Sequence, residues 1–426
     1  MIETIARVQA RRVWDSRGRP TVEAEITTSS GRRGRAIAPA GASRGSGEAT
    51  DLRDGGSRLG GLDVLQAVRN VETRIASALT GHRVADQEGV DALLDFLDPS
   101  PTRSDLGGNA TVATSLAVLH AAAAVAEVPV WRYLNPNPVV LPRPQIQIIG
   151  GGAHAARRVD LQDFMVVPLS ASRIDDALEH VAEVYLSVGR IFAERGPSLG
   201  VADEGGFWPA VSANEEALAI LTLAIERTGM VPGVDIAISL DIAASEFESR
   251  GRYTLASEDR VLDGDAWRSV VEGWIAIYPI VAVEDPAGEY DAAGMRAFTR
   301  SIGDRTLVVG DDYLVTDPGR ISAAAVDGAC NTALIKVNQA GTVTRAAQAH
   351  AAAREAGWST IVSARSGETE DVSVAHLSVG WQADILKVGS ITRGERTAKW
   401  NELIRIDAEM GGLPLAPFPL QSFAGR

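Results

Sequence analysis

The chain has 426 residues, 45% of them hydrophobic, with a formal net charge of -14 and a pI near 5.0. That length exceeds one ordinary core and implies two domains, one of them large. The acidic balance argues against nucleic acid or an anionic membrane as the main partner, and leaves a small anionic ligand open wherever cations are concentrated. The single Cys330 excludes an intrachain disulfide framework and fits a reducing compartment, as a structural thiol at a helix-to-strand junction.

The opening residues, Met1-Ile2-Glu3-Thr4-Ile5, have neither the basic start nor the apolar core of a secretory signal, so a cytoplasmic setting is expected. Residues 21–27 alternate Val22, Ala24 and Ile26 with polar neighbours, the pattern of a half-buried strand. Asp63 is placed to cap a helix whose apolar face is Leu65, Val68, Val71, Ile75 and Leu79 and which stops at Gly81. Residues 116–131 are Ala-rich but interrupted by His120 and Glu127; they predict a buried helix, too short and too polar to span a bilayer. Four prolines within 135–144 mark an interdomain connection. The expected division is an α+β domain over 1–137 and a second domain over 138–426.

From 138 onward the pattern is strand, turn, helix, repeated, with strands ending near 167, 202, 241, 284, 310, 337, 363 and 388 and helices such as 214–228 and 343–356 between them. Eight such units predict a (β/α)8 barrel, an α/β fold whose chemistry gathers at the C-terminal strand ends. Asp241, Glu284 and Asp311 each close a short apolar run at such an end. A carboxylate at the tip of a buried strand is costly unless something positive meets it, so three of them point to one shared cation. Lys336, Arg365 and Lys387 fall at the same ends. A lysine delivered to the same end as a shared cation looks like a metal-assisted proton-abstraction site.

Six stretches carry a resemblance: residues 15–25 (Asp-Ser-Arg-Gly-Arg-Pro-Thr-Val-Glu-Ala-Glu), 41–45 (Gly-Ala-Ser-Arg-Gly), 202–206 (Ala-Asp-Glu-Gly-Gly), 239–241 (Ser-Leu-Asp), 333–339 (Ala-Leu-Ile-Lys-Val-Asn-Gln) and 366–371 (Ser-Gly-Glu-Thr-Glu-Asp). In this order and spacing they resemble the enolase family over nearly the whole chain. The resemblance implies a small α+β N-terminal domain and an atypical barrel whose second strand runs antiparallel. It implies a hydro-lyase in which Lys336 is the base and Glu204 the acid. Asp241, Glu284 and Asp311 would hold one Mg2+, and a second, recruited with substrate, would be joined by Ser43. Arg365 and Ser366 would hold a phosphate, Lys387 would face the substrate carboxylate, and His154 would close on the substrate, with Asp163 facing the reacting end. A homodimer, or an octamer of dimers, is the implied assembly. Lys336 must then be neutral to act, its pKa lowered by Mg2+ and Lys387, and Glu204 must be protonated, which adjacent Asp203 would favour. Asp285 and Asp312 stand outside this ligand set.

Several positions depart from the family pattern. Ala364 stands where a histidine is usual before the Arg-Ser pair, Asp163 where a glutamate is usual, and Gly150 where an asparagine is usual; Arg44, Arg157 and Arg158 add cations to the closing loops. Together they predict a substrate like 2-phosphoglycerate but bulkier and more anionic at phosphorus. Carboxyphosphonoenolpyruvate, made by an enolase-like synthase in phosphonate antibiotic pathways, is a product of that kind. Two other readings stand beside it: an ordinary enolase converting 2-phosphoglycerate to phosphoenolpyruvate, and an inactive enolase-like binding protein.

Overall fold

A computed structural model describes residues 2–197 and 199–420; Met1 and the last six residues assigned above to the second domain lie outside the described residues. The first three strands, β1 (Ile5–Trp14), β2 (Pro20–Thr28) and β3 (Arg33–Ile37), form an antiparallel meander. Asp15 makes its first turn, one carboxylate oxygen accepting from the backbone N–H of Arg17 (2.9 Å) and Arg19 (2.8 Å). Val22, Ala24 and Ile26 are fully buried, as the alternation predicts.

The meander packs on the helix Gly108–Val125, which is apolar on every side. By length and composition this helix could cross a membrane, but 83% of its apolar window is buried inside the fold, where it is the core of the N-terminal domain. The helical run from Leu65 to Leu79 exists, with a π turn at Val71–Ile75, but Asp63 does not cap it. Asp54 does, its two oxygens accepting from Leu65 N (3.0 Å) and Gln66 N (2.9 Å). Asp63 is instead drawn to Arg12, 2.8 Å away. A local cap signal cannot distinguish two acids when one has a cation within reach.

The larger domain is a closed eight-stranded barrel. Its strands are β4 (Arg143–Gly150), β5 (Asp163–Pro168) and β6 (Ile236–Asp241), then, after a small side sheet of β7 (Glu248–Ser249), β8 (Arg252–Leu255) and β9 (Arg260–Asp263), β10 (Ile280–Glu284), β11 (Leu307–Gly310), β12 (Thr332–Ile335), β13 (Ser359–Ser363) and β14 (Ile385–Ser390). Most neighbouring strands are parallel; β5 is antiparallel to both β4 and β6.

Two strand positions differ from the sequence-based pattern. The run ending near 202 is a loop, holding only an isolated bridge between Val201 and Phe207. The barrel opens earlier, with β4, inside the proline-rich segment. Ile146 and Ile148 join the main apolar cluster, while Gln145 and Gln147 alternate with them and interrupt the apolar run that the other strands show.

Candidate active site

The strand order alone collects the acids. In β6 and β10 Asp241 and Glu284 are register partners, and β11 is the next strand, with Asp311 one residue beyond its end. Because β5 runs the other way, its first residue reaches this rim: Asp163 pairs with Gly150 on one side and Asp241 on the other. Lys336 follows β12, Ala364 and Arg365 follow β13, and Lys387 lies within β14. The cavity at this rim encloses about 330 Å3, counting its open mouth; Asp163, Asp241, Lys336, Ala364, Arg365 and Lys387 line it, whereas Glu284 and Asp311 do not.

Buried charge of both signs is interleaved at the centre. Lys387 Nζ donates to Asp241 (2.8 Å) and Glu284 (2.7 Å). Lys336 Nζ donates to Asp311, which also accepts from Gln339 Nε2 at 2.7 Å. Gln162 Nε2 donates to Asp241 at 3.1 Å. Burial, then the neighbouring Asp241, raises the Glu284 carboxyl well above the carboxylate range. Burial also opposes ionisation of Asp311, but Lys336 and Lys387 outweigh it and hold its pKa at about 2. Burial works against the Lys336 ammonium too, and the Asp311 charge wins, leaving its pKa above the usual value.

The remaining oxygen of Glu284, Oε1, is buried and has no hydrogen-bond donor. A buried oxygen left without a partner is costly, and with Asp241 beside it this is consistent with the raised pKa of the group. Carboxylate oxygens are the hard donors that Mg2+ prefers, and Asp241, Glu284 and Asp311 supply that chemistry, held here through Lys387 and Lys336. Among the described residues the groups whose ligand atoms lie within 4.8 Å of one another are His154, Asp163 and Glu204, and Asp285, Asp311 and Asp312. Asp285 accepts from the backbone N–H of Asp311 (3.0 Å) and Asp312 (2.6 Å), and burial with the Asp311 charge pushes its pKa up to about 8. It shapes the turn that presents Asp311.

Across the cavity, His154 Nδ1 lies 2.9 Å from Asp163, and His154 Nε2 lies 3.8 Å from Glu204. Burial would lower the imidazole pKa, but Asp163 and Glu204 overcome it and push it up to about 9. Gln147 bridges this end, donating to Asp163 and accepting from Gly206 N at 2.8 Å. Glu204 behaves differently from the sequence-based expectation. Burial favours its protonated form, but His154, Arg396, Lys387 and Lys336 together hold its pKa below the ordinary value. Asp203 is not among the causes; its charge is felt by Arg17.

Arg365 is clamped by a residue that sequence reasoning missed. Its guanidinium donates to Glu48 at 2.7 and 3.3 Å and to the carbonyl of Ser43 at 2.8 Å. Ser366 Oγ accepts from Arg17 Nη1 at 3.1 Å, and the buried Arg396 holds the Arg365 carbonyl at 2.7 Å. Gly41 is required here: a Cβ on it would meet Arg365 Nη2 at 1.9 Å. Glu48, Gln147 and Arg396 leave no local signal, since each acts across a long chain separation; Arg17 and Gln339 lie inside the motif stretches, which do not single them out.

Ser43, His154, Asp163, Glu204, Lys336, Ala364, Arg365, Ser366 and Lys387 all line the cavity. The added arginines do not. Arg44, Arg157 and Arg158 are exposed, and Arg157 turns outward to Glu246, donating to its carboxylate at 2.6 Å and its carbonyl at 3.0 Å. A long cation in a polar loop is better solvated outside than in a rim already crowded with ammonium and guanidinium groups. Of these changes Ala364 and Asp163 alter the cavity wall; Gly150 does not line it, and a Cβ on it would meet Ala202 at 2.4 Å.

The family description "Enolase, N-terminal domain" matches residues 5–134, and "Enolase, C-terminal TIM barrel domain" matches residues 138–416.

Proposed function

The chain belongs to the enolase family, and from that premise we propose that its barrel rim is the site of a magnesium-dependent hydro-lyase acting on a 2-phosphoglycerate-type acid. The observation that carries this reading is the buried charge network at the strand ends, Lys387 joining Asp241 to Glu284 beside the Lys336–Asp311 pair, with Glu284 Oε1 unclaimed. Mg2+ held by these three, with a second ion arriving with substrate near Ser43, would supply electrophilic stabilisation of the charge that develops on the substrate carboxylate.

The protein's own groups do the rest. Lys336 takes the C2 proton, and for that its amine must first be neutral; the contact with Asp311 that raises its pKa is the one it must give up. Glu204 returns a proton to the departing 3-hydroxyl. Its ionised state in the open site requires a proton source, and His154, protonated up to about pH 9, stands 3.8 Å away. Arg365 and Ser366 present donors to a phosphoryl group, and Lys387 pairs with the substrate carboxylate.

The finer reading concerns size. A methyl group at Ala364, between Ser363 and Arg365 on the cavity wall, leaves room beside the phosphate-facing cations. A substrate bulkier and more anionic at phosphorus, giving a carboxyphosphonoenolpyruvate-type product, uses that room. An ordinary enolase reaction remains the second reading. An inactive binding protein would have no need of Lys336, Glu204 and three buried carboxylates. The working setting is the cytoplasm, as a homodimer or octamer.

Two assays decide. Solvent exchange of the C2 proton should fall about 10²–10⁴-fold in Lys336→Ala, the usual range for removing a positioned base. Dehydration of 2-phosphoglycerate and of its phosphonoformyl analogue should favour the analogue. Ordinary rates on 2-phosphoglycerate with none on the analogue would return the protein to the second reading, and exchange that survives the lysine change would remove the mechanism altogether.

A further inference from the structure

A second cavity, of about 450 Å3 counting its open mouth, lies behind the lysine-bearing wall of the barrel, at the seam between the domains. Ile37, Pro39 and Leu116 of the N-terminal domain form one side. Opposite them, Ile335 and Val337 flank Lys336, and Val362 and Ser363 lead into Ala364. Val374 and Leu377, from the helix Ser373–Gly380, complete the lining.

The walls are mostly apolar, unlike the charged rim. Among the described residues one polar side chain there is left over: Asn338 lines the cavity, is only 9% exposed, and its carboxamide has no hydrogen-bond partner. The other polar liners are engaged. Glu368 accepts from Arg365 N (3.1 Å) and pairs with Lys399 (3.0 Å), and Asp371 accepts from Ile37 N (2.8 Å) and Ser373 N (2.7 Å). The Asn338 amide atoms are not among the fully enclosed unpartnered ones; they keep accessible surface where the residue lines the cavity, and a donor or acceptor placed there would complete them. An apolar hollow with a single convergent polar group is the usual form of a small-molecule site.

We propose that this seam cavity is a second ligand site, for a small neutral apolar molecule carrying one hydroxyl or amide that bonds to Asn338. Glu368 and Asp371 repel an anion, so the phosphorylated acids of the rim are not its ligands. The space takes a ring or a short chain, not a peptide strand or helix. An occupant touches the residues on both sides of Lys336, and Ser363 lines both cavities, so occupancy bears on the strands that carry the rim groups. Binding here is independent of which reaction the rim performs.

Benzyl alcohol is a suitable probe on the full chain, with toluene and benzoate as comparators, followed by ligand-observed NMR. Benzyl alcohol should bind saturably and benzoate should not. Val374→Phe, which sends a ring into the cavity from a half-buried position, should weaken benzyl alcohol at least tenfold. Asn338→Leu should weaken it about five- to tenfold, the worth of one neutral hydrogen bond, and leave toluene unchanged. Circular dichroism checks that both variants fold, and either one suffices. Absence of saturable benzyl alcohol binding, tighter binding of benzoate, or binding indifferent to both substitutions overturns the proposal.

Discussion

Ala364 is held by its backbone: its N–H donates to the carbonyl of Lys387 at 2.9 Å, and its own carbonyl accepts from Ser363 Oγ at 3.0 Å. A substitution there changes the volume of the wall without moving the strand ends. Ala364→His should therefore narrow the cavity beside Arg365, raising kcat/KM for 2-phosphoglycerate and lowering it for a phosphonoformyl analogue. A shift of about tenfold in the ratio is what one pocket contact delivers. If kcat/KM for both compounds stays level in steady-state assays, the missing ring is not what sets specificity. Asp241, Glu284, Asp311 and Lys336 were legible as rim groups because each closes or follows an apolar run, whereas Lys387 lies inside β14 and Asp163 and Glu204 end no such run. The ionisation of the rim groups was not legible, because it depends on who faces whom across the barrel. Glu204 shows this: its sequence neighbour Asp203 suggested a raised pKa, while four cations from elsewhere in the chain lower it.

Elements were readable where one face is plainly apolar. Strands β6, β10 and β11 stood out for that reason, and β4 did not, because Gln145 and Gln147 interrupt its apolar run. The stretch near 202 shows the opposite error, an apolar loop that serves to carry Glu204. The fit between β3 and the helix Gly108–Val125 was also invisible, since it rests on a missing atom. A Cβ on Gly34 would lie 2.1 Å from Ala121 N and 2.3 Å from Ala117 O, both backbone. Gly34→Ala should cost about 1–3 kcal/mol or more in urea unfolding, the range for overpacking, since helix and sheet would have to separate. A neutral result would mean that the contact is loose.

The helix Val343–Glu355 carries a pH dependence of its own. His350 is buried beside Trp381, ring centroids 5.9 Å apart, with Nε2 unpartnered. Burial, then Arg354, lowers its pKa to about 4. The unfolded chain binds the proton near its ordinary value of about 6.5, so between these limits the unfolded state holds more protons. Stability is full above the upper limit and is lost as pH falls towards the lower one, by at most about 3 kcal/mol. His350→Phe should flatten that part of the stability–pH curve; an unchanged slope would place the acid sensitivity elsewhere.

At the scale of the whole molecule, one buried pair carries the seam between the domains. Glu48 reaches across from the N-terminal domain to Arg365 at the end of β13, and both side chains are almost wholly buried. Arg17 binds Ser366, and Ala40 bridges Gly367, so the Arg365–Ser366 corner of the rim is assembled from both domains. Two-domain organisation was legible from length and the proline cluster, but this dependence was not, because 317 residues separate the partners. Removing one member of a buried pair leaves the other charge uncompensated, at a cost of about 3–5 kcal/mol, whereas replacing both with apolar groups is often close to neutral. Glu48→Ala should accordingly lower unfolding stability by that amount, and combining it with Arg365→Met should recover most of the loss. The recovery separates an electrostatic debt from simple loss of packing, since packing loss would make the double variant the less stable of the two. Were the double variant to unfold as early as the single one, the domains would be held by the apolar contacts around the helix Gly108–Val125, and the Glu48–Arg365 pair would serve only to aim the guanidinium into the rim.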